Sequence, residues 1–247
     1  MERAPAVSAV GARSHGAPAR HLAAAHRGIT LNNLPSRGID DLRLGPAPFV
    51  PEVWLFLAED AILLWARLEA AAGRRLPAPF WASAWVGGQA LARYVLDNPQ
   101  TVAGRRVLDL ASGSGLVAIA AAIAGASEVD ANDIDPFAIA AIEMNAQVND
   151  VAIRPRWGDL LDGDGEGADV VLAGDALYNP GLAERAVPFL ARAAKRGALV
   201  LIGDPDRGHL PPDWLESVTS YRVPIAGAPE DAQIDRTSVL TPRVSTT

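Results

Sequence analysis

Apolar residues in this chain come in short runs separated by Gly, Pro or charged residues, and the runs alternate with Ala-rich stretches of helical period. Residues 107–110 are such a run, long enough for a strand buried on both faces. Gly113 and Gly115 predict a tight turn, 116–125 a helix and 128–132 a second strand. Pro136 suits the first turn of a helix reaching about Asn149. Residues 153–157, 169–175 and 198–203 read as the third, fourth and fifth strands, with a helix over 181–195. Residues 221–225 and 234–241 can supply a last antiparallel pair. The expectation is an α/β fold: a doubly wound, seven-stranded, mostly parallel sheet closed by that pair.

Upstream, Trp54, Leu57, Ala58, Ala61, Leu64, Trp65 and Leu68 recur at helical spacing and predict a helix over 51–72, ended by Gly73. Residues 76–79 are a connector. Trp81 and Trp85 then precede an expected turn at Gly87-Gly88, with a helix from Gln89 to Asn98-Pro99. Aromatics here can flank a sulfonium or an adenine, or simply fill a core; Trp81 fits either use, and Gly88 would admit a ligand close to backbone. Residues 1–48 lack periodicity and are expected to be a disordered arm, with a single domain over 49–247. Residues 1–38 hold five arginines and one acid, Glu2. That balance suits a mitochondrial transit peptide or the codon bias of a GC-rich bacterium. Arg is preferred to Lys along the whole chain, which favours the bacterial account and a cytoplasmic location; a eukaryotic source would mean the mitochondrial matrix.

Composition narrows the chemistry. The chain has 247 residues, 49% of them hydrophobic, which suffices for one large domain. No apolar run is long enough for a transmembrane helix. A net charge of −7 argues against a nucleic-acid partner and allows a basic protein surface as substrate. Cysteine is absent, so disulfides, thiolate metal sites and cysteine nucleophiles are excluded. Lys195 is the only lysine, which removes the P-loop and leaves little scope for Schiff-base chemistry. Of four histidines, His15, His21 and His26 lie in the arm and only His209 in the body, so a His-rich metal site is not expected.

The strand, turn, helix and strand over 107–133 form the front half of a βαβ unit, whose natural tenant contains a nucleoside. Asp133 stands 20 residues after Gly113, where a carboxylate can accept both ribose hydroxyls. Asp135, two residues further, is the weaker ribose candidate. Gly113-x-Gly115-x-x-Ala118 also satisfies the dinucleotide fingerprint. Asp109 separates the two ligand classes. A carboxylate before the turn would repel a pyrophosphate but attract an ammonium, such as that of S-adenosylmethionine. A purely local role, capping the turn, is the competing account of Asp109. After the fourth strand, Asp175-Ala-Leu-Tyr178 puts a carboxylate and a phenol at the edge of the sheet where chemistry gathers.

An acidic strand end followed by Gly-x-Gly resembles class I methyltransferases. The set formed by Phe80-Trp-Ala-Ser-Ala-Trp-Val-Gly-Gly-Gln, Leu108-Asp-Leu-Ala-Ser-Gly-Ser-Gly, Asn132-Asp-Ile-Asp-Pro and Gly174-Asp-Ala-Leu-Tyr resembles one branch, the electron-transfer-flavoprotein β-subunit lysine methyltransferase family with its bacterial relatives. The likeness runs from about residue 50 to the C-terminus. It implies S-adenosylmethionine as cofactor, held by Trp85, Gly88, Asp109, Ala111, Ser112, Gly113, Gly115, Asp133, Ile134, Asp159 and Asp175. Within it, Asp159 would meet the adenine amino group, although a turn aspartate beside Gly158 has a local use as well. Asp175 and Tyr178 would face the methyl acceptor. Members usually carry Asp-x-Phe-Tyr followed by an acid; here those places hold Leu177 and Asn179, which bears on acceptor specificity.

The implied reaction is displacement of methyl from a sulfonium by a lysine ε-amine of a protein, with the flavoprotein β subunit as the implied substrate. Asp175 would orient the amine and Tyr178 wall its channel, with no metal and no covalent intermediate. A nicotinamide-like small aromatic amine is the alternative acceptor. An NAD-dependent oxidoreductase and a non-catalytic cofactor-binding protein are the rival readings.

Overall fold

In the computed structural model, residues 41–165, 167–211, 213–224 and 235–243 are described. Among them, seven strands form one sheet in the order β5-β4-β3-β6-β7-β9-β8. The strands are β3 (Arg106–Leu110), β4 (Glu128–Asp133), β5 (Arg154–Trp157), β6 (Val170–Gly174), β7 (Leu199–Asp204), β8 (Leu215–Val223) and β9 (Asp235–Pro242). Strands β3 to β7 pair in parallel, and β9 runs antiparallel to both β7 and β8. The order reverses between β3 and β6, so their carboxyl ends open a crevice at the switch point. The expected doubly wound sheet with its antiparallel pair is the observed one.

Three helices cover one side: α2 (Val86–Asp97), α3 (Leu116–Ile123) and α4 (Pro136–Val148). Helix α3 is Ala-rich with six buried residues, so it packs close to β3 and β4. Helix α5 (Pro180–Lys195) covers the other side through Ala183, Ala186, Phe189, Leu190 and Ala193. Pro180 and the Asn179 side chain, which accepts from Leu182 N at 2.9 Å, start α5.

The N-terminal region corrects two expectations. Residues 51–58 are not helix: β2 (Val50–Ala58) pairs antiparallel with β1 (Leu42–Ala47), and only α1 (Ala61–Ala72) is helical, capped by Asp60. The second edge of β2 meets side chains rather than a strand. Asn149 Oδ1 accepts from Trp54 N at 2.9 Å, and Asn145 Oδ1 accepts from Phe56 N at 2.8 Å. Two asparagines on α4 thus satisfy backbone groups of an edge strand, which no local pattern announces. Strand β1 also lies within the stretch assigned to a disordered arm, so ordered structure begins before residue 49. The rest of that arm, with its transit-peptide reading, lies outside the described residues.

A third correction concerns Gly87 and Gly88. They form no turn but sit in the first turn of α2. A methyl on Gly87 would collide with the Gly203 carbonyl oxygen and lie 2.7 Å from Asp175 Oδ2; one on Gly174 would lie 2.7 Å from Gly88 Cα. The glycines let α2 touch the ends of β6 and β7 backbone to backbone.

Candidate functional site

The site begins at the tip of β3. Ala111 (φ 53°), Gly113 (φ 56°) and Gly115 (φ 82°) all take left-handed backbone to turn the chain into α3. For Ala111 that conformation costs on the order of 1 kcal/mol. Strain of this kind gathers where structure serves a ligand. Asp109 is 1% exposed. Its Oδ2 accepts from Ser112 Oγ at 2.5 Å and from Ala118 N at 3.1 Å. Burial pushes its carboxyl up to about 7; the two hydrogen bonds oppose the rise and the nearby Asp133 charge adds to it. Asp109 thus makes the local bond of the capping account, to Ala118 N at the start of α3, and also lines the cavity.

Asp133 Oδ2 accepts from Gly113 N at 2.9 Å, and its Oδ1 accepts from Asp135 N at 2.9 Å. One carboxylate thus braces the glycine turn against the exit of β4, and each oxygen keeps a lone pair for a hydroxyl. Burial raises its pKa. Asp135 caps α4 by accepting from Phe137 N at 2.8 Å.

Of the cofactor and acceptor residues implied by the resemblance, all except Gly115 line one cavity of about 620 Å³. That size lies within the roughly 300–1,000 Å³ of small-molecule sites. Gly115 faces away, where a methyl would stand 3.4 Å from Ile142 Cα; it serves the packing of α4 and the positive φ of the turn. Trp81, 2% exposed and 6.4 Å from the Phe137 ring, is a core aromatic that also borders the cavity.

At the other end, Asp175 takes φ 58° at the tip of β6 and is buried. Its Oδ2 accepts from Gly87 N, and its Oδ1 accepts from Arg207 Nε at 2.7 Å. The Arg207 guanidinium also lies 5.8 Å from the centre of the Trp85 ring. Around this ion pair stand half-exposed rings: Phe80 is 5.7 Å from Trp85 and 5.2 Å from Tyr178. Burial raises the Tyr178 pKa, helped by the Asp133 charge and opposed by a hydrogen bond with Asn179, so the phenol stays protonated at neutral pH.

Residues 89–178 match the family model described as ribosomal protein L11 methyltransferase (PrmA). The electron transfer flavoprotein beta subunit lysine methyltransferase of Danio rerio is 48% identical over 133 residues, 53% of this chain and 52% of that protein. Its homolog in Caenorhabditis elegans is 34% identical over 173 residues, 64% of this chain and 70% of that protein. The chain belongs to the electron transfer flavoprotein β-subunit lysine methyltransferase family. It spans about half the length of the first curated relatives it matches, 52% for Danio rerio and 60% for Mus musculus. Among solved structures it is similar to the ribosomal protein L11 methylase of Lactobacillus delbrueckii subsp. bulgaricus, with TM-score 0.45 and 22% identity over 62% of this chain and 77% of that one.

For a member of this lysine methyltransferase family, the two departures in the motif after β6 have structural occupants. Leu177 is buried in the core beneath α5, and Asn179 is the cap of that helix. Asp159 is tied twice, accepting from Leu161 N at 3.0 Å and from Arg185 Nη1 at 2.6 Å. The Arg185 partner holds its carboxyl below the usual range. Sequence reasoning missed Arg185 and Arg207. The signal for Arg207 was present in the exit loop Asp204-Pro-Asp-Arg207, but a loop arginine names no partner until the fold supplies one. Among the described residues, no cluster of three or more His, Asp or Glu side chains is placed to hold a metal ion.

Proposed function

We propose that this chain is an S-adenosylmethionine-dependent methyltransferase that modifies a lysine side chain of a protein, the electron transfer flavoprotein β subunit being the first candidate. The observation that carries the reading is Asp109, a buried carboxylate facing the cavity with no basic side chain bonded to it. A ligand ammonium would relieve its burial, whereas a pyrophosphate would aggravate it. Asp133 suits ribose hydroxyls, and Asp159 with Ile134 suits an adenine at the β4–β5 end. Gly88, Ala111, Ser112 and Gly113 supply close backbone, and Trp85 an aromatic wall. When bound there, the cofactor would offer an electrophilic methyl on a sulfonium. One methyltransferase domain with an arm ahead of it, in the cytoplasm, completes the reading.

Lysine titrates near pKa ~10.4, so the reactive neutral amine is scarce at neutral pH. The chain's task is to strip water from the amine, release its proton and align nitrogen with the methyl. Phe80, Trp85 and Tyr178 exclude water from the mouth, and Asp175 with the Tyr178 hydroxyl offers the acceptor its polar contacts. Calorimetric titration tests the cofactor half: saturable binding of S-adenosylmethionine without binding of NAD is expected, and the reverse removes the reading. Incubation with labelled S-adenosylmethionine and host extract, followed by mass spectrometry, tests the acceptor. Label on a small aromatic amine alone would transfer the activity to that class.

A further inference from the structure

The loop that leaves β5 is fastened along α5 by Arg185, Arg192 and Arg196, which stand at positions i, i+7 and i+11 and so share one face of the helix. Arg192 donates to the Leu161 carbonyl at 2.5 Å and to the Gly163 carbonyl at 2.8 Å. Arg196 donates to the Asp164 carbonyl at 3.3 Å and to the Ala168 carbonyl at 2.8 Å. These two bond backbone and therefore hold the course of the loop. Arg185 bonds side chains instead, Asp159 at 2.6 Å and, more weakly, Asp162 at 3.4 Å. It also lines the cavity, which Arg192 and Arg196 do not. With Leu161 N on Oδ1 and the guanidinium on Oδ2, the Asp159 carboxylate is anchored at one oxygen to the loop and at the other to the helix.

We infer that Arg185 is a positioning residue for the nucleoside base: it orients the Asp159 carboxylate so that the cavity accepts a 6-aminopurine and rejects a 6-oxopurine. The inference rests on the methyltransferase reading and deepens it by naming what fixes the choice of base. The Asp159 side chain is 45% exposed, so without the guanidinium it would be tied by one oxygen only and free to turn toward water. Each of its oxygens has a second lone pair, so a base can join the two existing bonds rather than displace them. A 6-amino group donates to that lone pair. A 6-oxo group brings an acceptor to the same place and leaves the carboxylate facing a like partner. Because the loop is already held by Arg192 and Arg196, the role of Arg185 is orientation rather than folding.

The test is calorimetric titration of the full chain with S-adenosylhomocysteine and with S-inosylhomocysteine, which differ in the 6-amino and 6-oxo groups. The unaltered chain should prefer the adenosyl compound by roughly tenfold or more. Arg185→Ala should cut that preference by roughly fivefold, the scale of leaving one side chain to be ordered on binding. Arg192→Ala, which loosens loop backbone without touching Asp159, should keep the preference. In a chain that already carries Asp159→Ala, Arg185→Ala should change the preference no further, since it acts through that carboxylate. Full preference in Arg185→Ala, an equal loss in Arg192→Ala, or a further loss on top of Asp159→Ala would overturn the inference while leaving the methyltransferase reading intact. Equal binding of the two compounds by the unaltered chain would do the same. Failure of the unaltered chain to bind S-adenosylhomocysteine would overturn that reading and the inference with it.

Discussion

The carboxylate of Asp175 accepts a hydrogen bond from the backbone N–H of Gly87, 88 residues earlier in the chain. It thereby gives α2 the cap its own sequence lacks, since Trp85 at the N-cap position makes no side-chain bond. A residue read as facing the acceptor also locks a helix onto the sheet.

Gly87→Ala should be among the most damaging single methyl additions. The new group meets the Gly203 carbonyl and the Asp175 carboxylate, and backbone cannot give way cheaply. A loss of about 3 kcal/mol, seen as a fall of roughly 6–12 °C in Tm, is expected. Gly45→Ala, with nothing within 4 Å of the added methyl, is the control and should leave Tm near its starting value.

Asn145→Ala removes the side chain that bonds Phe56 N and Ser114 O, each at 2.8 Å, and so unties the glycine turn from β2. Two buried polar groups would lose their partners, for roughly 2–4 kcal/mol by urea unfolding. Cofactor affinity should fall as well, because Ser114 lies in the turn beside the cavity. Unchanged affinity would show that the turn holds its shape without Asn145.

Asp109 should give ligand-free stability a pH dependence of known sign. Its folded pKa, about 7, lies above its ordinary 3.8, so the folded state holds the extra proton between those values. This group's contribution to stability therefore declines as pH rises across that window and is level outside it. Cofactor binding should strengthen from pH 6 to 7, since an ammonium favours the ionised carboxylate. Asp109→Asn should remove both slopes; unfolding and binding measured at several pH values check this.

Tyr178→Phe should keep most turnover if the ring mainly walls the mouth, because the contact with Phe80 survives, while Tyr178→Ala should raise the acceptor KM. Asp175→Asn should lower kcat with cofactor affinity retained. Full turnover in both Asp175→Asn and Tyr178→Phe, with cofactor binding unchanged, would remove these two residues from the acceptor site.

Arg185→Ala tests the opposite extreme. Its partner Asp159 has a side chain 45% exposed, so the pair works in a solvent-screened setting. Little or no change in stability is expected despite the 2.6 Å contact. A larger loss would mean that Arg185 holds the rim of the cavity by packing.

Local pattern was enough for β3, β6 and β7 and for the covering helices, because a strand buried on both faces must be a largely apolar run and a covering helix must repeat its apolar residues every three or four positions. Val107 to Asp133 therefore announced its strand, turn, helix and strand, and the acid types at Asp109 and Asp133 pointed to a cationic amino-acid end and a ribose. What the sequence could not reveal depends on groups brought together from distant parts of the chain. Trp54 to Ala58 carries a helical spacing, yet asparagines some 90 residues downstream hold it as a strand. Gly87 and Gly88 looked like a turn because closeness to Gly203 and Gly174 is written nowhere near them. Arg207 acquired a partner only when β6 and β7 were laid side by side. Periodicity encodes which face is buried; only the fold decides which hydrogen-bonding and charged groups from separate elements complete one another.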